Sequence, residues 1–512
     1  MASDFSQDTR LRDADDYFQR AALAVILIAL VARLALSALL PLIADEAYAV
    51  VVSRIPSISY FDHPILGFGF ARASAWLFGS EASAIVRLPH VLFGALSGWL
   101  LFLITRSAFG SRAAFWAVAW YSVAPFFLVS AGNFVVPDGP LDFFLLLTLW
   151  LVLPDLLEDR PPNTQRWILA GLTLGLAMLS KYTAVLFGVA AVIVLLTSAR
   201  GRRILATPGP YLAAIVATLC LAPIVIWNVQ NDWASVTFQS GRATGGDFNP
   251  LNFLVIQLGQ AGFLLPWIWA AAVYAIVKSL FSPKEPAQRL FAILAIVPIL
   301  LFDLVAMFGR EILPHWAMPG FLFAFPLIGL VSAGLAEKLP RLLKATFAVS
   351  LALVTALAFS AMLQIRDAAL ARPLGLGERA DFDWTFLAWS ALRDDFAERG
   401  ILNDGDSYFV PGSWLIGAKA GYGVGPDVPV AQPLADPRHF AFQTDPRLAG
   451  RAKGLAVIAA WPSDAESSAQ ELVSMAQSGG YEIAGEGWTV TQKRGGKASF
   501  VVLVQPVTRR AD

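Results

Sequence analysis

The stretch AALAVILIALVARLALSALLPLI, residues 21–43, runs directly into Ala44-Asp45-Glu46-Ala47-Tyr48, and this junction decides the fold. A helix of about 20 apolar residues spans the hydrocarbon core of a bilayer. The run is followed at once by two adjacent carboxylates, which are costly at a membrane interface unless something pairs with them. Some twenty polar residues precede it and no small-residue cleavage pattern follows, so it reads as a retained anchor. Arg33, inside the run, reads as a structural arginine facing protein or snorkelling to the headgroups.

Working outward, the same material recurs. Of 512 residues, 57% are hydrophobic and 15% charged, where a soluble chain of this length carries about 25% charge. Eleven candidate spans follow: Ala21–Ile43, Pro89–Ile104, Ala113–Ala131, Leu141–Leu153, Trp167–Leu179, Thr183–Thr197, Tyr211–Trp227, Leu251–Val277, Leu290–Phe308, Ala317–Leu335 and Ala345–Leu363. The expected fold class is mainly α: a polytopic helical membrane protein of about eleven transmembrane helices. Lys+Arg and Asp+Glu balance at 38 each, so no overall charge draws the chain to nucleic acid. A single cysteine, Cys220, excludes an internal disulfide framework, and four histidines argue against a histidine-rich metal centre.

Sidedness follows from the basic residues. One set of alternate loops holds sixteen Lys and Arg, the other six, namely Arg54, Arg72, Arg87, Lys181, Arg242 and Arg310. The positive-inside rule puts residues 1–20 in the cytoplasm and the second set outside. The organisation expected is a cytoplasmic tail over residues 1–20, a membrane domain over 21–365 and an extracytoplasmic domain over 366–512. In that last part, β-type stretches (Ser407–Val410, Leu455–Ala460, Ser499–Val504) alternate with helical ones (Trp384–Arg399, Ala465–Gln477), which predicts a small α/β domain.

The outer loops carry the chemistry. The first holds Asp45 and Glu46, functional acids or equally a solvated helix-end pair, then Ser59-Tyr60-Phe61-Asp62-His63-Pro64 and Arg87; the second holds Asp138 in a Pro-Asp-Gly turn, where an aspartate more often serves the turn itself. Lys181 sits between two tightly linked spans, and its structural reading is a snorkelling lysine. Gln239 and Arg242 lie in a loop rich in hydrogen-bonding groups, a composition that suits sugar or phosphate and equally suits a solvated loop. His315-Trp316 closes the set: His315 suits a metal, a phosphate or an interfacial hydrogen bond. Asp142 and Asp303 lie inside apolar runs, with Arg310 a candidate partner for Asp303.

Taken in order, Asp45-Glu46-Ala47-Tyr48, Tyr60-Phe61-Asp62-His63-Pro64, Arg87-Leu88-Pro89, Pro137-Asp138-Gly139-Pro140-Leu141 and Ser180-Lys181-Tyr182-Thr183 resemble the integral-membrane GT-C glycosyltransferases. The likeness is to the bacterial protein-O-mannosyltransferase-like branch, which includes the lipid A aminoarabinose transferases. Trp227-Asn228, Phe238-Gln239-Ser240-Gly241-Arg242 and Pro314-His315-Trp316 fit the same branch, and the ordered set covers roughly residues 20–365. Phe61-Asp62-His63-Pro64 and Ser180-Lys181-Tyr182-Thr183 also resemble transferases that place galacturonic acid on lipopolysaccharide.

The resemblance implies a GT-C-like helical bundle. It implies sugar transfer from a polyprenyl-phosphate donor to an envelope lipid, glycan or protein at the outer face of a bacterial inner membrane. It makes Asp45 the main catalytic candidate, with Glu46 beside it and Asp138 as the second-loop acid. Asp62-His63-Pro64 stands where the aminoarabinose transferases have a Glu-Lys-Pro that contacts metal and phosphate. With histidine in place of the lysine, Lys181 and Arg242 become the principal phosphate partners, joined by His63. Tyr60, Asp62, Arg87, Gln239 and His315 are the expected substrate-binding residues. Asp62 and His63 are candidate ligands for a divalent metal, which is expected to be accessory; no cofactor is expected to be required.

Chemistry supports the same assignment. A carboxylate can take the proton of an attacking hydroxyl, and a cation beside a departing phosphate stabilises the transition state more than the ground state. No Gly-rich phosphate loop suggests a nucleotide sugar. Transfer with inversion is expected. The rival reading is a transporter or flippase of lipid-linked sugars, which predicts charges deep in several spans and repeat symmetry.

Overall fold

The computed structural model describes residues 2–244, 246–309, 311, 313–370 and 383–510. The chain divides into two compact units. A bundle unit comprises Met1–Leu36, His63–Gly67 and Arg87–Thr355, and a sheet unit comprises Ser37–Asp62, Phe68–Val86 and Ala356–Asp512. The first outer loop is therefore shared out, and most of it belongs with the C-terminal part of the chain.

The early helices are α1 (Ala2–Leu39), α2 (Ala44–Ser53), α3 (Ile65–Phe78), α4 (Ser83–Phe109), α5 (Ser111–Val123), α6 (Asp138–Leu157) and α7 (Thr164–Ser180). Among the described residues, six helices are long and apolar enough to cross a membrane, or up to nine if each of three bent pairs is one span. The protein is a multi-pass membrane protein. Eleven runs were expected, and the difference has local causes. The run Ala113–Ala131 is broken: α5 ends at Val123, and a π-helical turn, Phe126–Ser130, follows Pro125. The run Leu251–Val277 bends by 110° between Leu251–Leu264 and Pro266–Phe281. There Leu265 adopts a left-handed φ of 75° ahead of a proline that cannot continue the hydrogen-bond ladder. The apolar helix α3 was not foreseen, because its 14 residues are too few to span a bilayer.

In the bundle unit, α6 packs on α7, and α7 packs on Gly209–Cys220. The second contact depends on Gly171 and Gly175, four residues apart on one face of α7. A Cβ at Gly171 would lie 2.4 Å from the Ala213 carbonyl, and one at Gly175 would lie 2.5 Å from Cys220 Cβ. Small residues at this spacing let helix backbones approach in a medium that supplies no hydrophobic drive between them. Arg33 has the structural role expected of it. Its Nε donates to Leu128 O (3.3 Å) and its Nη2 to Phe127 O (3.1 Å), both carbonyls of the π-helical turn.

The sheet unit is built on five strands: β1 (Ser407–Pro411), β2 (Lys453–Ala460), β3 (Tyr481–Ile483), β4 (Trp488–Arg494) and β5 (Lys497–Arg509). β1 runs parallel to β2, β2 antiparallel to β5, and both β3 and β4 pair antiparallel with β5. Val410, Ala456, Ile458, Val501 and Leu503 form one apolar face, covered by Leu472 and Ala476 of the helix Ala465–Ser478. This is the small α/β fold expected, with β3, β4 and a helix over Trp414–Val424 added. That helix packs against α2, and Lys419 Nζ donates to Leu42 O at 2.7 Å.

Candidate active site

Asp138 is the first residue of α6, where the helix N-terminus favours a negative charge. Lys181 is placed by the end of α7: its backbone is extended (φ −151°, ψ 135°) between α7 and a 3-10 turn at Tyr182–Ala184. The two side chains meet. Lys181 Nζ donates to Asp138 Oδ1 at 2.8 Å, with the side chains only 8% and 5% exposed. The snorkelling reading of Lys181 is therefore corrected: the ammonium points into protein and is held by an ion pair. Gly139, the next residue, lets the start of α6 lie against Ala131, since a Cβ on it would lie 2.6 Å from Ala131 O.

His63 and His315 each lie within electrostatic reach of this pair and of Arg242. Burial, followed by the charge of Lys181, pushes His63 down to about 3, against the opposing pull of Asp138. Its ring is therefore neutral at neutral pH and serves as a hydrogen-bonding group. Arg242, on the helix Ala234–Thr244, sends Nε (3.1 Å) and Nη2 (2.7 Å) to Glu311 Oε2. Its guanidinium lies over the rings of Phe238 (5.3 Å) and Trp316 (5.2 Å). Arg87 is fully buried with its guanidinium 5.3 Å from the Phe134 ring centroid, and Gln239 is half-buried. Asp303 accepts from Gln257 (2.9 Å) and Gln260 (2.6 Å), while Arg310 lies outside the described residues.

In the sheet unit, α2 carries the acidic group. Ile43 is its N-cap and has no side-chain acceptor. Glu46 compensates by accepting from the Ile43 N–H at 3.1 Å, so it has a capping duty and is fully buried. Asp45, by contrast, keeps an exposed face. Its pKa is nevertheless raised. Desolvation by the surrounding protein is the main cause and the charges of Asp62 and Glu46 add to it, against a backbone hydrogen bond and Arg438. That moves the carboxylate toward the range useful for a base.

Asp62 is held from two sides. The Tyr48 hydroxyl donates to its Oδ2, and Arg438 Nη1 binds its Oδ1 at 2.9 Å. The Tyr48 hydroxyl oxygen in turn accepts from the His439 N–H at 2.9 Å, and His439 Nδ1 accepts from the Phe61 N–H at 3.1 Å. Burial lowers His439 to about 3, so its ring is neutral. Tyr60 is buried, packed on Phe68 (5.0 Å) and His439 (4.8 Å). The turn that delivers Arg438 is strained, with left-handed φ of 38° at Asp436 and 49° at Arg438. Such outliers cost roughly 1–3 kcal/mol each and cluster at functional sites. Sequence reasoning missed Arg438 and His439, which carry no motif and lie some 376 residues from their partners.

The metal expectation can be tested on the donors. Among the described residues, no group of three or more His, Cys, Asp or Glu side chains could hold an ion. Asp62 is engaged by a guanidinium, and His63 sits among Lys181, Arg242 and His315. This donor set does not fit a divalent ion, and no step is routed through one.

With this geometry in place, comparison with known proteins is informative. Residues 62–227 match the family described as dolichyl-phosphate-mannose-protein mannosyltransferase. Over 285 residues the chain is 26% identical to a lipid A galacturonosyltransferase, RgtD, of Rhizobium johnstonii, covering 54% of this chain and 58% of the relative. It is 25% identical over 288 residues to an undecaprenyl phosphate-alpha-4-amino-4-deoxy-L-arabinose arabinosyl transferase of Erwinia tasmaniensis, covering 53% and 49%. The chain thus spans about half the length of the curated relatives it matches. The crystal structure of ArnT from Cupriavidus metallidurans bound to undecaprenyl phosphate superposes with a TM-score of 0.65 at 17% identity, covering 94% of this chain and 97% of that one. The chain thus shares the fold of that structure over nearly its whole length, and residues 62–227 resemble the mannosyltransferase family.

Proposed function

We propose that this protein is a glycosyltransferase that moves a sugar from a polyprenyl-phosphate donor to an envelope acceptor, with inversion. The observation that carries the reading is the buried Lys181–Asp138 pair with Arg242, His63 and His315 around it, on a fold shared with a structure that holds undecaprenyl phosphate.

In this reading, Asp45 accepts the proton of the acceptor hydroxyl as its oxygen forms a bond to the anomeric carbon. The bond from that carbon to the phosphate oxygen breaks on the opposite face, and its electron pair leaves with the polyprenyl phosphate. Lys181 and Arg242 stabilise the charge that develops there. His63, neutral, donates a hydrogen bond, and Asp138 holds Lys181 in place. Asp62 positions the acidic group through Tyr48 and Arg438. Glu46 acts through the N-terminus of α2, and Tyr60, Arg87, Gln239 and His315 contact substrate. No metal or other cofactor enters the scheme.

The acceptor is an envelope lipid, glycan or protein. The protein is assigned to the bacterial inner membrane, with residues 1–20 cytoplasmic, 21–365 catalytic and 366–512 periplasmic. The test is turnover by purified protein in lipid, with a panel of polyprenyl-phosphate sugars and envelope lipid as acceptor, run beside Asp45→Asn. Turnover with one donor, lost in the variant, supports the reading. Silence across the panel, with sugar lipid crossing the bilayer in a parallel flip assay, would replace it with the transporter.

A further inference from the structure

A cleft of about 400 Å³ opens within the sheet unit, lined by none of the site residues above. This is within the ordinary size of a ligand pocket. Three arginines and two carboxylates charge its walls: Arg54, Arg72 and Arg447 against Glu81 and Asp445. The balance is positive by one.

Two of the arginines are fixed. Arg54 sends Nε (3.1 Å) and Nη2 (2.7 Å) to Glu81, and Nη1 to Gly421 O at 3.0 Å. Arg447 grips Asp445 through Nε at 2.9 Å and donates Nη1 to Pro426 O at 2.6 Å. These bonds engage only part of each five-donor guanidinium. Arg72 is different: its contact with Glu81 is long, 3.5 Å, and its side chain is 42% exposed. It is the cation available to exchange partners. Guanidinium forks suit planar or tetrahedral oxyanions. Between the charges lie Ile55, Pro56, Pro426 and Pro446, whose flat apolar faces suit the C–H face of a sugar ring, while Glu81 and Asp445 can accept from its hydroxyls.

Position gives the cleft its meaning. Asp45 is the second residue of α2 and Arg54 is that helix's C-cap. Nine helical steps separate the two backbones by about 14 Å, more than a single sugar unit. We infer that the cleft binds an anionic group of the acceptor, so that the acceptor is a glycan carrying a phosphate or carboxylate more than one sugar unit from its reacting hydroxyl. The inference rests on the transferase reading for the hydroxyl at Asp45.

The test is calorimetric titration of the full chain in nanodiscs. Three soluble disaccharides of one backbone serve as probes, bearing a phosphate, a uronate carboxylate or no charge, beside inorganic phosphate. At least one anionic disaccharide should bind tenfold or more tightly than the neutral one, and which one does names the anion. Arg72→Ala and, separately, Arg447→Ala should remove that advantage, while Arg72→Lys retains part of it. In turnover assays, Arg72→Ala should raise the acceptor KM with donor KM and kcat unchanged. Equal affinity for charged and neutral disaccharides would overturn the cleft, as would inorganic phosphate binding as tightly as the phosphorylated sugar. Asp45→Asn should bind the probes as the natural chain does. Loss of turnover there with binding kept supports the acceptor role, whereas absence of turnover with every donor in the natural chain counts against the transferase reading alone.

Discussion

Asp45 and Lys181 are the residues on which the reading stands, and each exposes it differently. Asp45→Asn keeps the shape and removes the base, so turnover should fall by about 10²–10⁴-fold with the protein still folded. Its raised pKa sets the sign of the pH effect. The protonated, inactive form persists to higher pH than for an ordinary aspartate near 3.9, so the acid limb of the rate profile should lie above that value. Lys181→Ala leaves Asp138 as an uncompensated buried charge, an expected loss of about 3–5 kcal/mol in stability, with donor affinity falling more than acceptor affinity. The double variant Lys181→Met/Asp138→Leu should recover much of the stability in thermal unfolding and none of the donor binding. Recovered donor binding would assign the pair to structure alone.

Turns and helix contacts bring these residues into place, and they can be tested as elements. The turn through Asp436 and Arg438 holds two left-handed residues, and Arg438 both anchors Asp62 and lowers the pKa of Asp45. Arg438→Ala should therefore move the acid limb further up in pH as well as slow turnover, and Arg438→Lys should restore part of the shift. A purely structural arginine would leave the limb where it was. In α7, a methyl at Gly171 meets the Ala213 backbone at 2.4 Å and has no flexible neighbour to displace. Gly171→Ala should cost about 1–3 kcal/mol, read as a lower melting temperature, because the helix pair must separate to admit it.

Across the entire chain, the sheet unit is assembled from three separated stretches, Ser37–Asp62, Phe68–Val86 and Ala356–Asp512. The helix Trp414–Val424 buries a face against α2, where a Cβ at Gly421 would meet Val51 at 3.2 Å. Residues 383–510 expressed alone lack that cover. Amide exchange over 414–424 should then be markedly faster than in the full chain, while the paired strands β2 and β5 stay protected. Equal protection would mean that the C-terminal part folds independently of the first loop.

Much of this was legible in the residues. Apolar runs of spanning length follow from the cost of burying bare backbone in lipid, so hydropathy alone revealed a multi-pass helical protein. The short apolar runs Leu455–Ala460 and Ser499–Val504 announced strands, being too short for helices and buried on both faces of the sheet. The acids and cations of the outer loops stood out because charge at a membrane interface is expensive. What local pattern could not carry was partnership. Lys181 finds Asp138 across 43 residues, Arg242 finds Glu311 across 69, and Arg438 finds Asp62 across 376. Such pairs are fixed by how helices and turns pack, and no periodicity near either residue encodes them. The same holds for the protonation of His63 and the raised pKa of Asp45, which depend on which charges folding brings near and how much water it removes.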